Sequence, residues 1–307
     1  MIAVLFQLLP FFALIGIGMI AGATGMFDSR AAQALTKFVF YFALSALLFR
    51  FAADLDLAEL FDPVVLGAYL LASVTVYAVT MLVARARRLS LSETAVECQC
   101  AVIGNVGFLG LPMLTMLMGD AAAGPILQVL TVDLVVFASL IVVLLSVARQ
   151  GAITPVVVVR VGRAVIGNPM ILAILAGFVW AGLDLPLPAP LDDTLRLMGN
   201  AATPGALFAI GLSLAQKSAE RLSVAAWLSF AKLVLHPAAV AFCVLVLFEV
   251  DAFTARVMIS AAALPVAGNV FILAQTYNAA PQRVSAAILV STLVSLISLT
   301  GILALTL

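Results

Sequence analysis

The chain has 307 residues, 65% of them hydrophobic and only 10% charged, with 15 Lys and Arg balancing 15 Asp and Glu; its mean hydropathy is +1.25. A soluble domain needs far more charge to cover its surface, so that class is excluded. The zero net charge says nothing about partners, whereas the placement of the charges is informative.

The apolar residues come in blocks. Val4 to Ile20 and Val64 to Val83 contain no charge, and Ile126 to Ala148 contains only Asp133. A run of roughly 20 apolar residues crosses the hydrocarbon core as a helix, and blocks without alternation exclude lumen-facing barrel strands. The first block lacks a basic leader and runs too long before any small-residue cleavage site, so it reads as the first span and not as a signal peptide. Charged or Pro/Gly-rich breaks then divide the chain into ten predicted spans, at 4–23, 33–53, 63–84, 93–118, 125–148, 165–183, 195–216, 223–248, 253–276 and 284–306. Cys98, Cys100 and Cys243 all fall inside spans, which argues against a disulfide framework. Cys98 and Cys100 point in different directions on a helix, which argues against a metal pair.

The connections alternate in charge. Those after odd spans carry Arg30; Arg85, Arg87 and Arg88; Arg149, Arg160 and Arg163; Lys217 and Arg221; and Arg283. Those after even spans carry Asp54, Asp56, Glu59 and Asp62; Asp120; Asp184, Asp192 and Asp193; and Glu249 and Asp251. Short cytoplasmic loops collect Lys and Arg. The expectation is therefore a multi-pass protein of the cytoplasmic (inner) membrane with both termini on the non-cytoplasmic side.

The halves resemble each other. Pro10, Gly18 and Gly22 of span 1 recur as Pro169, Gly177 and Gly182 of span 6, and Leu47-Leu48-Phe49 of span 2 as Ala206-Leu207-Phe208 of span 7. This predicts a first five-helix repeat at 1–150, a cytoplasmic connector at 151–164 and a second repeat at 165–307. An odd number of spans per repeat turns the second copy upside down, a plan recurrent in secondary transporters.

Span 4 contains Gly104-Asn105-Val106-Gly107-Phe108-Leu109-Gly110-Leu111-Pro112, and span 9 contains Leu264-Pro265-Val266-Ala267-Gly268-Asn269. Pro removes a backbone donor and clashes with the preceding turn, and Gly weakens a helix. Non-helical backbone at membrane depth is tolerated only inside protein or along a watery cavity. Paired interruptions at corresponding positions therefore point to a transporter's binding site. Each half-helix N-terminus offers unpaired N–H groups and partial positive charge to a carboxylate or phosphate, and Asn105 and Asn269 add amide groups of either polarity. The plainer reading is that Gly107 and Gly110 allow close packing and that Pro112 and Pro265 only kink their helices.

Asn105 to Pro112 resembles the first crossover motif of the auxin efflux carrier family. Leu264-Pro265 followed by Ala274-Gln275-Thr276-Tyr277-Asn278 resembles its second. Lys37 to Phe49 and Asn200 to Gly211 are similar to that family's second and seventh helices, with a departure at Ser45, where members often have proline. The resemblance covers essentially the whole chain. It implies an all-α fold of ten transmembrane helices in two inverted repeats, with spans 4 and 9 broken and crossing mid-membrane as in bile acid:sodium symporters. It also implies a scaffold of spans 1, 2, 6 and 7, a crossover domain of spans 3–5 and 8–10, and alternating access between them. The family includes plant exporters of auxin and bacterial carriers linked to malonate or malate; the short connector here matches the compact bacterial form.

Ionisable residues inside a membrane normally face a cavity or a partner. Asp133 is a candidate to carry a coupling proton, pair with Lys232 or bind sodium. Lys232 is a candidate counter-charge, or snorkels to the surface. His236, the only histidine, suits a proton relay but such a residue is more often a hydrogen-bonded packing residue, and Glu97 reads as a water-facing edge or a cavity mouth. Ser45, Gln99, Thr203 and Gln275 are candidate lining residues. Ser291, Ser295 and Ser298 form a small-hydroxyl stripe read as helix packing. No metal, nucleophile-elbow or phosphate-loop motif occurs, and Arg85-Ala86-Arg87-Arg88 reads as a topogenic cluster, not a nucleic-acid patch. The sequence thus predicts no enzyme and no cofactor beyond a coupling Na⁺ or H⁺. It predicts a secondary transporter of a small organic anion with the bilayer as partner; the resemblance implies malonate, malate or an auxin-like acid as that anion, and by analogy with folds of this kind a second copy in a homodimer. An amino-acid or larger apolar-acid carrier, or a membrane ligand sensor, are the alternatives.

Overall fold

The computed structural model describes residues 2–53, 62–150, 159, 162–163, 166–183, 185–215 and 222–306. Asp54, Asp56, Glu59, Arg160, Asp184, Lys217 and Arg221, with most of the 151–164 connector, lie outside the described residues. Among the described residues every regular element is a helix: α1 Ile2–Ala23, α2 Ser29–Ala53, α3 Pro63–Ala86, α4 Leu91–Val102, α5 Val106–Met118, α6 Asp120–Arg149, α7 Pro169–Gly182, α8 Ala189–Ala215, α9 Leu222–Leu247, α10 Ala252–Ala262, α11 Gly268–Thr276 and α12 Pro281–Thr306. Six of these (α2, α3, α6, α8, α9 and α12) are long and apolar enough to cross a membrane. Shorter apolar helices lie at Leu9–Ala23, α5, α7 and α10.

Polar caps fix where several helices begin. Asp28 accepts from Ala31 N–H, Asp62 from Val64 N–H, Asn168 from Met170 N–H, and Asp251 from Phe253 and Thr254 N–H. Pro63 and Pro169 occupy first helical positions, where their missing N–H is no loss. Ser90 and Glu93 form a capping box at the start of α4.

Glycines let the backbones meet. A Cβ on Gly18 of α1 would run into the Phe208 carbonyl of α8, and one on Gly211 into the Ile15 carbonyl of α1. A Cβ on Gly177 of α7 would lie 2.7 Å from the Phe49 carbonyl of α2. The Gly18–Phe208 and Gly177–Phe49 contacts are reciprocal, each joining a residue of the span 1/span 6 match to one of the span 2/span 7 match. Elsewhere α3 packs on α4 and α9, and α9 on α10 and α12. Widened π-helical turns occur at Val106–Gly110, just before Pro112, and at Ala231–Leu235, just before Pro237. A proline ring clashes with the carbonyl four residues back, and a wider turn relieves the clash.

Candidate functional site

Two helical runs stop inside the bundle and meet. Between α4 and α5, Ile103 to Asn105 leave the helix; between α10 and α11, Ala263 to Ala267 do so. The extended pieces pair antiparallel, with Gly104 opposite Val266. Asn105 N–H donates to the Pro265 carbonyl at 2.8 Å, and Ala267 N–H to the Ile103 carbonyl at 3.1 Å. An unsatisfied peptide group in hydrocarbon costs several kcal/mol, and each break supplies the partners the other lacks. Ser291 of α12 completes the joint: its Oγ accepts from Val266 N–H at 3.1 Å and donates to the Ile288 carbonyl at 3.2 Å. The small-hydroxyl stripe read as packing thus holds the second break through Ser291.

The unwound residues are not the glycines that follow. Gly107 and Gly110 sit in the π-helical turn opened by the Asn105 carbonyl, which accepts from Leu109 N–H at 3.0 Å and Gly110 N–H at 2.9 Å. Pro112 lies in the first turn of the regular α-helical part of α5, Leu111–Met118, directly after the π-helical turn. A Cβ on Gly107 would meet Met170 at 2.7 Å, and one on Gly110 would run into Leu264 of the other break. These glycines serve close approach. Asn105 is buried beside the pairing, while Gly268 and Asn269, the first residues of α11, are exposed, with no atom within 4 Å of where a Gly268 Cβ would lie. On the facing side Phe40 of α2 stacks on Phe108 with centroids 6.0 Å apart. Ser45 donates to the Phe40 carbonyl at 3.0 Å, so its hydroxyl is spent within α2. Thr203 of α8 is half-buried, and Gln275 is exposed near the far end of α11.

Beside the pairing lies a buried polar cluster drawn from α3, α6 and α9. Asp133 and Lys232 each sit in a π-helical turn, Val132–Phe137 and Ala231–Leu235, a geometry frequent at functional sites. Tyr69 Oη donates to Asp133 Oδ1 at 3.0 Å, and Asp133 Oδ2 has no partner among the described residues. Lys232, 0% exposed, donates to the Ala262 carbonyl at the end of α10 and meets His236 Nδ1 at 3.1 Å; His236 Nε2 meets Ser73 Oγ at 3.0 Å. Lys232 therefore does not snorkel: a cation at the carbonyl end of a half-helix gains from its dipole. Nor does it pair directly with Asp133 here. His236 is bonded through both nitrogens. Tyr69 and Ser73 were missed by the sequence reading; their signal was two hydroxyls four residues apart on one face of an otherwise apolar span.

Glu97 corrects an expectation. It is no water-facing edge but 1% exposed, bonded by Arg87 at 2.6 Å and Arg283 at 3.1 Å, with Arg283 also 2.8 Å from Glu93. A carboxylate so buried needs such partners, and the distant Arg283 was invisible to local reasoning. Gln99, also buried, donates to the Phe137 carbonyl at 3.3 Å.

This arrangement of paired breaks and buried charges can be set against known proteins. The family model described as membrane transport protein matches residues 3–303. The chain belongs to the membrane transport protein family. A Rhizobium meliloti (strain 1021) protein named "Putative malonate transporter" is 30% identical over 302 residues, covering 96% of this chain and 93% of that protein. An Escherichia coli (strain K12) protein named "Uncharacterized transporter YfdV" is 26% identical over 304 residues, covering 94% and 92%. "Auxin efflux carrier component 8" of Arabidopsis thaliana is 29% identical over 150 residues, covering 46% of this chain and 40% of that protein. Membership of the membrane transport protein family makes the chain a multi-pass transporter and not an enzyme, in agreement with the motifs read from its sequence.

Proposed function

We propose that the protein is a secondary transporter that moves a small organic anion, malonate or a related mono- or dicarboxylate, across the cytoplasmic membrane by alternating access. The observation that carries this reading is the backbone pairing of the two breaks, Asn105 with Pro265 and Ala267 with Ile103. It leaves half-helix ends at membrane depth, where a carboxylate is held by peptide N–H groups and the end of a helix dipole without a full cationic side chain. The substrate site consists of the N-terminal end of α11 at Gly268 and Asn269, the Asn105 region, and the α2 and α8 surfaces near Ser45 and Thr203. The Rhizobium meliloti relative's name supports malonate as the first cargo to try.

The reciprocal Gly18–Phe208 and Gly177–Phe49 contacts support two inverted five-helix repeats at 1–150 and 165–307. In that reading α1, α2, α7 and α8 form the scaffold, the remaining helices move against it, and both termini face away from the cytoplasm. Purified protein in liposomes should show saturable malonate uptake and counterflow, with the neutral diamide inert. Asn269→Ala and Asn105→Ala should each lower uptake about tenfold, the loss of one charge-assisted hydrogen bond. Binding without any counterflow, or no discrimination against the diamide, would overturn the proposal.

A further inference from the structure

Asp133 is 4% exposed and, among the described residues, uses only one carboxylate oxygen: Oδ1 accepts from Tyr69, while Oδ2 is buried with no donor there to accept from. A bare carboxylate oxygen in a low-dielectric interior is costly, and a proton on it removes the charge. One helical turn further along α3, Ser73 begins the run Ser73–His236–Lys232–Ala262 carbonyl. Hydroxyl, imidazole and amine each donate or accept according to protonation. The run therefore has two complete arrangements. In one, a Lys232 ammonium donates to Nδ1, and Nε2–H donates to Ser73. In the other, Nδ1–H donates to an uncharged Lys232 amine, and the Ser73 hydroxyl donates to Nε2. A row of polar groups kept only for packing needs one arrangement.

The run ends at the breaks. Lys232 Nζ and Cε lie 3.2 Å from where a Gly104 Cβ would be, and its amine nitrogen bonds the last residue of α10. An anion at the breaks therefore feels whether Lys232 is charged. The titratable groups facing the cluster are Tyr69 on α3, Asp133 on α6, and Lys232 and His236 on α9. Beyond them Tyr77 stacks on Phe137, and Cys98 of α4 donates to the Tyr77 carbonyl. Only Asp133 and Lys232 bring opposite charges, and each is held by other partners.

We propose that Asp133, Tyr69, Ser73, His236 and Lys232 form a proton-binding site whose occupancy is linked to anion binding at the helix breaks, so that the carrier moves its anion together with a proton. The proton comes from water on one side, adds to Asp133 Oδ2, with Lys232 setting how tightly it is held, and returns to water on the other; no other bond is made or broken. By linkage, a proton that improves anion binding by some factor is itself held more tightly by the same factor when the anion is bound. The linkage rests on the transport reading above; the proton site does not.

The test uses the full chain in lipid nanodiscs. Infrared difference spectra between about pH 5 and 9 should show one protonated carboxyl band that titrates. The band should be absent in Asp133→Asn, retained in Asp133→Glu and moved in midpoint by Lys232→Met, each variant being checked for a wild-type-like Tm. A wild-type spectrum with no titrating carboxyl, or a band that survives in Asp133→Asn, overturns the proton site without recourse to any variant's transport activity. Calorimetry of malonate binding in two buffers of different ionisation enthalpy should then show uptake of about one proton per anion. Malonate binding without proton uptake overturns the linkage. If neither malonate nor malate nor succinate binds, the transport reading fails with the linkage, and the infrared result still decides the proton site.

Discussion

Glu97 and Lys232 show two ways in which the fold keeps a charge under apolar cover. Glu97 lies between Arg87 and Arg283, tying the end of α3 and the start of α12 to α4 through direct ion pairs. Lys232 instead leans on the carbonyl end of a half-helix and on an imidazole. Glu97→Gln weakens two charge-assisted hydrogen bonds, while Arg283 keeps Glu93 and Arg87 reaches water, so it should lower unfolding stability by about 2 kcal/mol. Asp192→Asn, which breaks the Arg50–Asp192 pair whose side chains are 29% and 33% exposed, should cost less than about 1 kcal/mol. Denaturant midpoints of the two variants test the contrast, and equal losses would mean that Glu97 is not a clamp. Asp251, at the aqueous start of α10, offers a pH handle. Partial burial opposes its charge, but hydrogen bonds from Thr254 and Phe253 outweigh that and hold its carboxyl below the usual range. Its contribution is therefore present above the unfolded carboxylate pKa of about 3.9 and is lost as pH falls through the lower folded value. Asp251→Asn should lower stability at neutral pH, change it little in acid and so flatten that acid limb, as read from denaturant midpoints across pH.

At the scale of elements, backbone approach and backbone satisfaction decide which substitutions are tolerated. Gly211→Ala places a Cβ against the α1 backbone near Ile15 and Met19, which cannot rotate away as a side chain can, whereas Gly16 has nothing within 4 Å. Gly211→Ala should therefore cost about 1–3 kcal/mol and Gly16→Ala close to nothing, as read by thermal unfolding in one detergent. Ser291→Ala removes the acceptor of Val266 N–H inside the second break. A stranded buried donor costs about 1–3 kcal/mol, and here the loss falls on the site. Malonate uptake should drop by more than the fall in folded protein; an equal fall in both would make Ser291 a packing residue after all.

For the whole molecule the decisive expectation is orientation. In a chain cleared of Cys98, Cys100 and Cys243, which are all buried and in no disulfide, a single cysteine from Glu249→Cys should react with an impermeant maleimide in intact cells. One from Arg88→Cys should react only after permeabilisation. The opposite pattern would invert the proposed topology.

The sequence alone determined the class, the helical stretches and the two places where helices stop, because hydrophobic length and the positions of Pro, Gly and charge are local properties that the bilayer reads directly. Local chemistry also marked Asp133 and Lys232 as residues needing partners. It did not say which partners. That Asn105 bonds Pro265, that Ser291 closes the second break, that Tyr69 and Ser73 reach Asp133 and His236, and that Arg283 covers Glu97 are matters of which helices lie side by side. Each such contact joins residues far apart in the chain, where spacing carries no signal. It is fixed only when every buried donor, acceptor and charge has to find its partner in the same packed bundle.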